Sequence, residues 1–394
     1  MRVTFCCPDA MPHFTRGAIG MTPWAIFDTL RARGHEVQVV TTYHHGHGRP
    51  QEVQALQDRG ASLVAFHAGA MPKNLTELVA QAVTEFQPDV ICGFPHSGLL
   101  WTKLANPDIP RVCLLGDLPH WVIPLRWQYV NRSIPMDYGT MVQLHNQAIQ
   151  VKAEYLPLLK SCAAVGNFCA HHTEWLQGQG VNCQHTRMAI LDSVFPGWRR
   201  RPEDMPRNPK PRILLAGHMN GIATMSGLYF FAEDILPHLD VDRYDIHVCG
   251  AESMAKDLQT RFRPWPQIKW RGFVKDIRKE ILQADIFLAP TPITLGLRTR
   301  LIEAMSLGSC IVAHQANQPG MPEMRDTLNA MLGVTGEGIA RLIDQCAGDP
   351  AMRYRLGHNA RNTYEECFSP EKAGGIMADM IEGVVKAKVK IAEG

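Results

Sequence analysis

The stretch Ala284–Met324, ADIFLAPTPITLGLRTRLIEAMSLGSCIVAHQANQPGMPEM, constrains what this chain can fold into more than any other. Ile286 to Ala289 is a short apolar run closed by Pro290 and Pro292, the pattern of a buried parallel strand whose carboxyl end opens into a loop. Ligands of open α/β sheets gather at that end. After Gly296 the apolar residues Leu297, Leu301, Ala304 and Met305 recur at helical spacing, so a glycine turn running into a helix is predicted. Arg298 and Arg300 then fall in the first turn, beside amides that have no partner within the helix. Cations there oppose the helix dipole at roughly 0.3–1 kcal/mol each unless an anion is bound. With an anion they add charge-assisted hydrogen bonds to the unpaired N–H groups, which makes a phosphate site that requires no metal. The alternative is that both arginines are solvated surface residues.

The run G-L-R-T-R-L-I-E-A-M-S-L-G-S, followed by I-V-A and P-G-M-P-E-M, resembles the carboxyl-domain signature of retaining GT-B glycosyltransferases of the large group 1, or family 4, type. That resemblance implies an α/β protein with two Rossmann-like, doubly wound domains facing a central cleft. It implies transfer of a sugar from a nucleoside-diphosphate donor, UDP- or GDP-linked, to a saccharide, lipid-linked or small-molecule hydroxyl, with retention and without a metal or other cofactor. By the same resemblance Glu303 binds the ribose hydroxyls and Arg300 the diphosphate. One departure is Leu295, eight residues before Glu303, where the family has a glutamate that accepts from a sugar hydroxyl. With a leucine there, either the amides of Gly296 and Leu297 hold the donor sugar alone, or the donor presents an apolar or deoxygenated face, or the protein no longer turns sugar over.

From the amino end, Arg2 to Cys6, the Arg16–Gly20 loop, a helix over 23–33 and Val37 to Thr41 make a βαβ opening whose glycine spacing is not GxGxxG. Gly17 and Gly20 either line a site, as the family's glycine loop implies, or only serve the turn. His96, Asp117 and His120 follow the strands predicted at 90–92 and 112–115. The family's histidine before Asp117 is replaced by Gly116; His120 or Asp117 takes its place, or Asp117 caps the next segment and His120 is a satisfied core histidine. Arg126, Trp127 and Tyr129 either line an acceptor groove or belong to a packed surface loop. Ile190 is expected to close the last strand of this half, with Asp192 beside the cleft by resemblance. The proline- and charge-rich 198–212 reads as the linker, giving domains over 1–205 and 206–370 and a helix over 371–394 that crosses back to the first. Its three arginines, 199–201, are also the one feature that suggests a peripheral membrane contact.

In the second half, Gly217–Gly227 is a further glycine loop. Where the family supplies an arginine and a lysine to the diphosphate, this chain has His218 and the neutral Asn220–Thr224 region, so Thr224 and Ser226 would compensate and the charge shifts to Arg298 and Arg300. The G-F-V-x-D-I run resembles the family's base-binding edge, which gives the backbone of Val274 to the nucleobase. The missing histidine and basic residues keep a second class open, a silent nucleotide-sugar-binding protein or partner subunit, and a GT-B epimerase or phosphorylase is a third.

A net charge of +2 over 394 residues gives no basic field for nucleic acid. No apolar run approaches the ~20 residues of a membrane span, and Met1 to Cys7 reads as a strand and not a leader; a cytoplasmic protein is expected. The eleven cysteines are scattered without a CxxC pair and read as reduced core thiols. His44, His45 and His47 lie in a glycine-containing loop without a nearby carboxylate, and read as solvated and not as metal ligands.

Overall fold

The structure, a computed structural model, describes residues 1–9, 11–14, 18–43, 50–103, 108–132, 136–194, 197–218, 221–250 and 256–393. Its contacts sort the chain into two units, Met1–Leu118 with Gln150–Leu191 and Phe368–Gly394, and Pro119–Ile149 with Asp192–Cys367.

The first unit carries a sheet of seven strands: β1 Arg2–Cys7, β2 Glu36–Tyr43, β3 Ser62–His67, β4 Val90–Gly93, β5 Arg111–Leu115, β6 Ala164–Asn167 and β7 Cys183–His185. All pair in parallel, in the order β3-β2-β1-β4-β5-β6-β7. Residues of β1, β4 and β5 are almost all buried, as strands covered by helices on both faces must be. Strand order reverses between β1 and β4, so the crevice beyond their carboxyl ends is the topological switch point. The last helix, Gly375–Glu393, packs on the helix Ala18–Ala32. Arg33 Nη1 donates to Asp379 at 2.6 Å and to Glu382 at 2.9 Å, and His35 Nε2 lies 3.0 Å from Glu382.

The second unit repeats the plan with β8 Arg212–Ala216, β9 Asp245–Cys249, β10 Lys269–Gly272, β11 Ile286–Ala289, β12 Ile311–His314 and β13 Met331–Gly333. The order is β10-β9-β8-β11-β12-β13, all parallel, with the switch point between β8 and β11. Its core includes Leu215, Leu228, Phe231, Ile246, Val248, Leu288 and Ile343. Tyr129 and Val130 pack against this core and Arg132 stacks 4.4 Å over the Tyr229 ring, which is why Pro119–Ile149 groups here.

Two expectations of local structure change, and two further segments gain partners within the protein. The last strand of the first sheet is Cys183–His185; Ile190 lies in extended chain, where its amide donates to the Phe368 carbonyl at 3.0 Å. Residues 124–129 are not loop but the end of a helix, Pro119–Tyr129. Asp192 takes a bidentate ion pair from Arg361 at 2.5 and 3.0 Å, with Arg361 1% exposed. The segment 198–212 is packed on the second unit: Arg199 pairs with Glu365, Arg200 is buried and donates to the Leu282 carbonyl, and Arg201 pairs with Asp204. Each of those arginines thus has a partner within the protein. Of the cysteines, ten are buried and Cys367 is half-buried.

Candidate functional site

At the switch point of the second unit, the loops after β8 and β11 converge. Gly217 follows β8, and a Cβ built there would fall 1.9 Å from Arg300 Nη1 and 2.4 Å from Thr224 Oγ1, so only glycine lets these groups meet. Gly250, after β9, has φ of 112° and would place a Cβ 2.2 Å from the Gly217 carbonyl oxygen. Its amide donates to the carbonyl of Gly272, the last residue of β10, at 2.7 Å. Glycines thus sit at three neighbouring strand ends; sequence reasoning passed over Gly250 and met Gly272 only as the first residue of the G-F-V run. The signal available was a glycine at the end of each apolar run.

The loop after β11 turns at Gly296, in the left-handed region at φ of 60°, and runs into the helix Thr299–Ser306. Arg298 occupies the cap position and Arg300 the first turn. Arg298 is buried and its Nη2 donates to the Ile293 carbonyl at 3.2 Å; Arg300 Nη1 donates to the Ala216 carbonyl at 2.5 Å. Both side chains line a pocket of about 20 Å³ together with Ala216, Gly217, Thr224 and Thr291. That is room for about one water in this state. Burial, and after it the charge of Arg298, lowers the Arg300 pKa to about 10. Arg300 makes no ion pair among the described residues, and the buried Thr224 hydroxyl has no hydrogen-bond partner among them. A cation without a carboxylate and a hydroxyl without an acceptor, in one pocket at a helix N-terminus, are groups matched to an anion.

One turn further, Glu303 is half-buried, and its carboxylate makes no hydrogen bond among the described residues. Burial raises its pKa, the positive charge of Arg278 opposes that rise, and the negative charge of Asp276 adds to it. Val274 is half-buried beyond β10, beside Phe273, which is 74% exposed. Leu295 is buried and Leu297 half-buried. Ser226 is buried inside its helix, where its hydroxyl donates to the Ala223 carbonyl at 3.3 Å, and it is not among the residues lining the pocket. His218 is exposed, with its carbonyl accepting from the Gly221 amide at 2.9 Å. Asn220 lies outside the described residues.

In the first unit, Gly20 is buried and a Cβ there would fall 2.3 Å from His13 Nε2; Gly17 and the histidines at 44, 45 and 47 lie outside the described residues. Asp117 is exposed after β5, where the Gly116 carbonyl accepts from Asn167 Nδ2 at 3.1 Å. At the β1–β4 switch point Ser97 Oγ donates to Asp9 Oδ2 at 2.6 Å, and burial lowers the pKa of His96 against the charge of Asp9. Asp9 drew no attention in the sequence. His120, in the second unit, stands half-buried in the first turn of Pro119–Tyr129 with its ring 5.6 Å from that of Trp121. Among the described residues, no group of three or more His, Cys, Asp or Glu is placed to hold a metal, and no helix is long and apolar enough to cross a membrane.

Comparison with solved structures settles the architecture. A glycosyltransferase from Rickettsia africae ESF-5 superposes with a TM-score of 0.66 at 14% identity, over 98% of each chain. The fold is GT-B. Sucrose-phosphate synthase from Thermosynechococcus elongatus gives a TM-score of 0.70 at 12% identity over 98% of this chain and 99% of the other. Anabaena HepE, solved with UDP and glucose, gives 0.64 at 12% over 97% and 100%. Residues 210–348, which hold the whole pocket of the second GT-B unit, match the family model of glycosyl transferases group 1. Sequence comparison with well-characterised proteins gives no significant match.

Proposed function

We propose that the protein is a glycosyltransferase that moves a sugar from a nucleoside-diphosphate donor to an acceptor hydroxyl, with retention and without a required metal. The observation that carries this reading is the convergence of Arg298, Arg300, Gly217 and the unpartnered Thr224 hydroxyl at the N-terminus of Thr299–Ser306. The match over 210–348 and the binding of UDP and glucose by HepE support the same assignment.

In this reading the diphosphate displaces the Ala216 carbonyl from Arg300 and takes charge-assisted hydrogen bonds from both guanidinium groups. Glu303 accepts from the ribose hydroxyls, and the Val274 backbone meets the base. In the reaction the bond from the anomeric carbon to the β-phosphate oxygen breaks while the acceptor oxygen attacks from the same face. The acceptor proton passes to the departing phosphate, so no protein nucleophile is needed. The arginines and helix amides stabilise the charge that develops on the leaving group, an interaction stronger in the transition state than in the bound substrate. Leu295 offers the sugar an apolar contact and no acceptor, which favours a donor with a hydroxyl missing, or held by backbone amides, on that side.

The test is nucleoside-diphosphate release from a panel of UDP- and GDP-sugars, followed with and without candidate acceptors and by NMR of the product's anomeric proton. Acceptor-dependent release with the donor's configuration retained is expected. Tight nucleotide binding with no turnover on any donor would favour the silent binding protein, and inversion would remove the front-face route.

A further inference from the structure

The helix Tyr138–Lys160 carries two apolar rows that point in different directions. Leu144, Ala148 and Val151 are half-buried and Tyr155 and Leu159 buried, at the spacing of one helix face. Tyr138, Met141, Val142, His145 and Ile149 form the second row, about 100° around the axis. This row faces solvent: Tyr138 is 78% and Ile149 54% exposed, and Met141 and Val142 are exposed as well. An exposed apolar row of that length on a soluble surface marks something that covers it.

Charge identifies the cover. From Tyr138 to Val151 there is no Asp, Glu, Lys or Arg. Such depletion is characteristic of the centre of a protein interface, whereas a helix lying on lipid carries Lys and Arg along its polar face. The uncharged stretch is bracketed by Asp137 at its amino end and Lys152 at its carboxyl end, about 22 Å apart at 1.5 Å per residue. Asp137 Oδ1 caps the helix by accepting from the Thr140 amide at 2.7 Å, and Lys152 is steadied 5.0 Å over the Trp175 ring. Two such helices laid antiparallel about a two-fold axis would set each Asp137 against Lys152 of the second copy and bring the two His145 side chains together at the centre. A parallel arrangement would oppose like charges at both ends.

We propose that this row is the docking surface for a second copy of the chain, paired antiparallel and isologously. The proposal does not depend on the transfer reaction. It is tested by sedimentation of the full-length protein and of four variants: Asp137→Lys, Lys152→Asp, the double reversal, and Ile149→Asp. The unmodified chain is expected to dimerise and each single reversal to weaken the dimer about tenfold, since two symmetric ion pairs become repulsive. The double reversal restores it, and Ile149→Asp leaves a monomer with an unchanged melting temperature. A monomer at every concentration overturns the proposal, as does a dimer that survives Ile149→Asp. A monomer retained by neutral phosphatidylcholine vesicles through Ile149 would assign the row to lipid instead.

Discussion

Arg300 Nη1 lies 2.5 Å from the carbonyl oxygen of Ala216, so the guanidinium from one side of the switch point is held by the strand on the other. Burial first, and the charge of Arg298 after it, lower its pKa to about 10, so the charged guanidinium is held there at a cost. An anion relieves that cost. Arg300→Ala should therefore weaken UDP or GDP binding by roughly 1.5–3 kcal/mol, about 10- to 150-fold, while affinity for the free nucleoside is unchanged. Calorimetric titration of both ligands checks this.

Gly217→Ala should weaken nucleotide binding without touching the ligand-binding side chains. A Cβ 1.9 Å from Arg300 Nη1 and 2.4 Å from Thr224 Oγ1 forces the guanidinium aside. The expected loss is roughly 1–3 kcal/mol of nucleotide affinity. The double variant with Arg300→Ala should lose little more than Arg300→Ala alone, and additive losses would show that Gly217 acts elsewhere.

Glu303 makes a prediction in which stability and binding move in opposite directions. Its folded-state pKa is raised, so between the unfolded value and that raised value the native state holds more protons, and stability falls as pH rises. Glu303→Gln should raise the melting temperature at pH 7, have no such effect below the usual carboxylate range, and weaken nucleoside and nucleotide alike. A destabilised Glu303→Gln protein at pH 7 would contradict this.

Glu382 works in the other sense. His35 first, and then Arg33 and Lys386, hold its pKa down to about 2. Stability from this carboxylate is fully present above the unfolded value near 4.5 and is lost as pH falls toward 2. Glu382→Gln should flatten the acid limb of the stability profile in that window and loosen the last helix, seen as faster amide exchange over 375–388.

The Asp192–Arg361 pair separates structure from function. Removing one partner of a buried ion pair costs about 3–5 kcal/mol, so Asp192→Ala should shift the denaturant midpoint strongly. The remaining native protein should bind nucleotide normally, because Arg361 also spans to the Ser306 carbonyl at 2.5 Å and not to the pocket.

Much of this site was legible in the chain. Apolar runs ended by Gly or Pro gave away β1, β4, β5, β8 and β11, and the spacing after Gly296 announced the helix at 299–306. What failed did so for physical reasons. β3 is half-buried at the sheet edge and β13 is three residues long, so neither shows a continuous buried run. Pro124 suggested loop, yet it stands inside Pro119–Tyr129, where no residue is buried and no strong periodicity marks the helix. The Asp192–Arg361 pair was hidden as well, since partners 169 residues apart in sequence leave no local trace. The glycines at the ends of β9 and β10 matter only through the close approach of backbones, which composition does not show.

The most direct test of the account is a calorimetric titration of UDP and of GDP into the protein in the presence of EDTA, repeated with Arg300→Ala. At a ligand concentration about 100 times Kd, the preferred nucleotide should also stabilise the fold by roughly 2.7 kcal/mol. Saturable binding of one nucleoside diphosphate without metal, lost in Arg300→Ala, is the predicted result. No heat with either ligand, or binding that appears only with a divalent cation and is indifferent to Arg300, would contradict it.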